Sequence, residues 1–122
     1  MTPMLILVAG PYRSGTGDDP ARIAANMAAM NATALDLFRR GHVPVTGEAL
    51  ALPLIALAGS RKIGDAAFDE IFHPLAERLL GKCDACLRIG GASQGADGMV
   101  EVARRLGLPV FFSLDDIPQG AA

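Results

Sequence analysis

The sequence predicts an α/β protein in which a parallel sheet of four to five strands lies between helices. Three observations predict it. Short apolar runs alternate with longer segments whose apolar residues recur every three or four positions. The first run, residues 4–9, is continuously apolar, as in a strand buried on both faces. Two of the runs end in glycine-rich loops, residues 10–17 and 90–97, and each loop leads into a helix-like segment. Such alternation implies right-handed crossovers and a parallel sheet.

The elements follow in order. Asp18-Asp19-Pro20 is a helix start, with an Asx cap and proline in the first turn. Ile23, Met27, Met30, Ala34 and Leu37 make one stripe, and Gly41 follows Arg39-Arg40, so a long helix spans residues 19–40. Residues 42–45 form a short strand, and Pro44 lacks a ladder donor, which places it at an edge. Residues 49–58 read as a short helix or packed loop broken by Pro53, and residues 59–64 as a polar, mobile connection. Asp65 caps a helix to about Leu80 that Pro74 should kink or divide. A strand at 83–89, a helix at 96–106, a last strand at 109–112 and a frayed tail from Asp115 complete the chain.

At 122 residues the chain reads as one domain, 1–122, long enough to bury roughly two thirds of its unfolded surface. The hydrophobic fraction of 51% calls for a packed core, and a net charge of −2 argues against a nucleic-acid partner. The first apolar run is too short to span a membrane and lacks a basic flank and a cleavage site, so a cytoplasmic protein is expected. Cys83 and Cys86 form a C-x-x-C within the strand rather than at a helix start. Residues three apart on a strand face opposite ways, which favours two buried structural thiols over a redox or metal pair.

In parallel sheets, ligands bind beyond the carboxyl ends of the strands, and glycine-rich turns at helix N-termini suit anions. Gly10 and Gly15 have P-loop spacing, but Thr16-Gly17 follows where a P-loop has lysine, which disfavours an NTPase. Tyr12 can stack on a base or position a carboxylate, Arg13 can pair with an anion, and Ser14 and Thr16 add hydroxyls; a plain polar turn is the alternative. In the second loop, Ser93 with the amides of Gly95 and Ala96 makes an anion nest, or Ser93 or Asp97 simply caps the helix. Met99, Val102, Ala103 and Leu106 form the inner stripe of that helix, and Glu101 lies about 200° from Met99, toward solvent beside Arg104 and Arg105. Asp97, in the first turn, and Glu48, after the second strand, are the carboxylates that could reach the carboxyl edge. Asp84 reads as a turn or cap residue, and His42 as structural or a helix-end cation. No His or carboxylate spacing suits a catalytic metal, and no G-x-S-x-G elbow is present.

The order Ala9-Gly10-Pro11-Tyr12-Arg13, Asn26, Gly41-His42-Val43-Pro44, Cys83-Asp84-Ala85, Ser93-Gln94-Gly95-Ala96 and Ala103-x-x-Leu106-Gly107-x-Pro109-Val110 resembles the nucleoside 2-deoxyribosyltransferase-like superfamily over residues 4–112. The resemblance implies a flavodoxin-like, Rossmann-like three-layer sandwich, an oligomer, no cofactor, and nucleoside or nucleoside 5′-monophosphate ligands. It implies cleavage or exchange of the N-glycosidic bond through a glutamate nucleophile, assisted by an aspartate and a tyrosine. Gly10, Tyr12, Arg13, Ser93 and Gly95 match the pattern. The nucleophile position falls on Met99, and the supporting aspartate near Ala76, beside Glu77. Two readings follow. One is an N-glycosidase or deoxyribosyltransferase using Glu101, Asp97 or Glu48 with Tyr12; the other is a catalytically degenerate binder of nucleotides or sugar phosphates. The small face of the first helix (Ala24, Ala28, Met30, Ala32) permits close packing in a dimer.

Overall fold

A computed structural model describes residues 2–120. Four strands, β1 (Leu5–Ala9), β2 (Val43–Val45), β3 (Ala85–Arg88) and β4 (Val110–Phe111), form one all-parallel sheet in the order β2-β1-β3-β4. Helices α1 (Pro20–Arg39), α2 (Gly47–Leu57), α3 (Ala66–Leu80) and α4 (Gln94–Arg105) connect them. The result is a three-layer, Rossmann/flavodoxin-like α/β sandwich. β2 is an edge strand, and Pro44 lies in it opposite Ile6.

The central strands are apolar throughout because both faces are covered. Ile6, Val8, Ala85 and Leu87 pack against Met30 and Leu37 of α1. Leu7, Ala9 and Cys86 face the other way, onto Ala76 and Leu80 of α3 and Met99, Val102 and Ala103 of α4. Side chains meet where the sequence stops them: Asp19 accepts the Ala21 amide at 3.0 Å, and Thr46 the Ala49 amide at 3.1 Å.

Several expectations need correction. Cys83 precedes β3 instead of lying on it, so the two cysteines do not alternate across a sheet; both thiols sit in the α3/α4 core, where burial pushes each to about 11. Neither Pro53 nor Pro74 divides its helix. Tertiary packing holds both turns together: α2 and α3 share a cluster around Ala51, Ile55 and Phe68. The 59–64 connection is organised, not loose. Asp65 accepts from the Ser60 hydroxyl at 2.8 Å, the Arg61 amide at 2.8 Å and the Phe68 amide at 3.0 Å. The tail is likewise tied down: Ile117 is 2% exposed, and the Gly120 amide donates to Arg40 O at 2.7 Å. Ala121 and Ala122, the end of that tail, lie outside the described residues. None of the described helices is long and apolar enough to cross a membrane.

Candidate functional site

The carboxyl ends of β1, β2 and β3 open onto the same side of the sheet, and the segments that follow them meet there. Gly90 has φ +77°, and a Cβ on it would stand 2.7 Å from Pro11 Cδ, so glycine lets the two glycine-rich loops touch. Ser14 Oγ donates to Ser93 Oγ at 3.2 Å across the gap. Asn26, from α1, donates to Tyr12 O at 2.9 Å and Ser14 O at 3.5 Å, which fixes the first loop from below.

A cavity of about 280 Å³ lies between the loops, walled by Gly10, Tyr12, Arg13, Ser14, Ser93 and Gly95 together with Glu48 and His73. A narrow extension of about 40 Å³ runs inward past Glu48 and Ala96 to Met99. Outside, a groove of about 800 Å³ shares Tyr12, Arg13, Ile63 and Gly64 with the cavity and continues over Ile23, Met27 and Leu52 toward Arg61 and Lys62. The larger of these spaces is thus the outer groove, whereas the buried carboxylate lies in the inner cavity.

Glu48 stands in the first turn of α2, placed there by the Thr46 cap, and is 7% exposed. Burial raises its pKa above the ordinary carboxyl range, partly opposed by its own backbone amide. Tyr12 feels Glu48: burial first, then that charge, raises the phenol. The Tyr12 ring packs 5.9 Å from Phe72, which stacks on Phe68 at 4.7 Å. This arrangement offers a carboxyl that burial biases toward its protonated form, in a cavity that a hydroxyl and an imidazole also line.

The other sequence-predicted carboxylates lie elsewhere. Asp97 is 70% exposed at its side chain and accepts from Arg88 Nε at 3.1 Å. Arg88, 9% exposed, also donates to Ile89 O and to Gly91 O at 2.8 Å, so the pair braces the second loop from behind. Glu101 pairs with Arg104 at 3.3 Å on the outer face of α4 and does not line the cavity. Gly15, at φ +74°, shapes the first loop and lies off the cavity wall. Ser93 Oγ takes the Ala96 amide at 3.2 Å as the helix cap, which leaves the first-turn amides of Gln94 and Gly95 for a ligand.

Two residues escaped the sequence reading. Arg88 looked like one more strand residue. His73 shares spacing with Ala76 and Leu80, both buried, and that step of three and four was the signal that it lies on the cavity side of α3, where it remains exposed. No protein-family model and no curated protein sequence matches this chain.

Proposed function

We propose that this protein binds a nucleoside or nucleoside 5′-monophosphate at the carboxyl edge of the sheet and cleaves its N-glycosidic bond, with Glu48 as the working carboxyl. One observation carries the reading: a carboxyl only 7% exposed faces a cavity enclosed by two glycine-rich loops. The resemblance to the nucleoside 2-deoxyribosyltransferase-like superfamily supports it.

Glu48, biased toward its protonated form by burial, gives its proton to the nitrogen of the departing base as the C1′–N bond breaks. Water takes the place of the base at C1′, and its proton restores Glu48. Tyr12 orients the sugar or its base, and the Gln94 and Gly95 amides together with Arg13, which lines the same cavity, receive an anionic substituent. Met99 replaces any covalent glycosyl-enzyme step, since a thioether forms no glycosyl ester.

Release of free base from a panel of ribo- and deoxyribonucleosides and their 5′-monophosphates, followed by chromatography, tests this. One substrate class should release base, and Glu48→Gln should lower that rate by about 100-fold or more, the usual worth of a general acid. Release that survives Glu48→Gln would move the chemistry away from this carboxyl. The second reading is a binder without turnover, favoured by Met99 lining the inner cavity where the family places a carboxylate. Under it, the same panel returns a bound, intact ligand.

A further inference from the structure

Arg13 lines both the inner cavity and the outer groove. Its guanidinium is anchored. Nε and Nη2 donate to the two carboxylate oxygens of Asp18, at 2.6 and 3.0 Å. Thr16 Oγ1 donates to Arg13 O at 2.5 Å and accepts the Asp18 amide at 3.1 Å, so the backbone between the partners is fixed as well. Gly64 leaves the other end of the fork uncovered by any side chain: at φ +85°, a Cβ there would stand 2.6 Å from Nη1. One edge of the guanidinium is thereby satisfied, and its remaining donors lie at the Nη1 end.

Asp18 has φ +61°, the left-handed region, and is the one described non-glycine residue there. The helix that follows does not need its carboxylate, because Asp19 caps α1. The Asp18 carboxylate goes to Arg13 instead. The left-handed backbone, which aspartate adopts more readily than most residues, turns that carboxylate back onto Arg13 at the edge of the groove. The surroundings favour an anion: Arg13, Arg61 and Lys62 line the groove against the single carboxylate of Asp18, and neither Arg61 nor Lys62 forms an ion pair among the described residues.

We propose that Asp18 is a positioning residue for anion recognition: it holds Arg13 at the junction of cavity and groove so that the free end of the guanidinium receives the phosphate of the substrate. This rests on the nucleotide reading above. It assigns the phosphate preference to a pair of residues whose second member acts through the first.

Calorimetric affinities for 2′-deoxyadenosine and its 5′-monophosphate, measured on the wild type, Asp18→Asn, Asp18→Gly, Arg13→Gln and the Arg13→Gln/Asp18→Asn double variant, decide it. The wild type should prefer the monophosphate, and each Asp18 variant should shrink that preference by about 5- to 10-fold, as for loss of one charge-assisted contact. Asp18→Gly relieves the backbone, so its melting temperature should equal or exceed that of the wild type while the preference falls. The double variant should lose no more than Arg13→Gln alone, because Asp18 acts through Arg13. If the nucleoside binds but the phosphate adds nothing, or the preference survives in both Asp18 variants, the assignment is overturned and the nucleoside reading stands. If neither compound binds, both fall together.

Discussion

Glu48 shows how one position can matter to chemistry and to stability with opposite signs. Its native pKa is raised, so the folded chain holds the proton more tightly than the unfolded one. Its contribution to stability is therefore greatest in acid and is lost as pH climbs from the ordinary carboxyl range through the raised native value. Glu48→Gln should stabilise the protein near neutrality by about 1 kcal/mol, the low end of the cost of a poorly paired buried polar group, while sharply lowering base release. Thermal melts from pH 4 to 8 should show the wild type losing ground to the variant as pH rises. At this scale the sequence separated the carboxylates only in part. The helical wheel turned Glu101 to solvent correctly, because a single helix decides that. Asp97 and Glu48 looked alike, because only the neighbours distinguish them: a buried arginine claims Asp97, and the α2/α3 packing encloses Glu48.

Helices and strands were legible where local chemistry sets them. Asp19-Pro20, Asp65 and Ser93 each stand as a cap, and the apolar runs became the central strands. The prolines were misleading, because the cost of one lost helical bond is outweighed by the contacts that α2 and α3 make with each other. The 59–64 connection misled for a similar reason. Its order comes from one carboxylate collecting three amides and a hydroxyl, a pattern visible only once the chain turns. Those bonds hold the Asp65 pKa at about 2, below its usual 3.8. A depressed carboxyl stabilises the fold above its unfolded value and ceases to as pH falls through its native one. The connection should therefore stay fastened at pH 5 and loosen between about 4 and 2, read as faster amide exchange at Arg61 and Lys62. Asp65→Ala should produce that exchange at neutral pH and also widen the groove mouth.

The whole molecule is closed by an imidazole that the sequence marked as structural. His42 is 2% exposed; its Nδ1 accepts the Met4 amide at 3.0 Å, so its proton resides on Nε2 and is donated to Pro118 O at 2.6 Å. One ring thus joins the start of β1 to the tail, and Arg40 reinforces it by donating to Ile117 O at 3.1 Å. His42→Ala should cost about 2–4 kcal/mol, since it leaves both an amide and a carbonyl without their partner beside a new void. The loss should appear in thermal unfolding, while base release measured below the lowered melting point persists, because the tie precedes β2 and the cleft follows the strands' other ends. The frayed tail expected from composition is not found, because the contacts that hold it are all tertiary. Its residues are polar and proline-bearing, and only the folded sheet supplies the surface that Ile117 covers.

The buried cysteines have a practical side. A thiol alkylates as its thiolate, and Cys83 and Cys86, at about 11 and enclosed between sheet and helices, present almost none at neutral pH. The chain is therefore silent toward maleimide dyes without removing either residue. A Lys62→Cys substitution at the groove rim would carry a single fluorophore, turning occupancy of the cleft into a change of emission and making the protein its own ligand sensor.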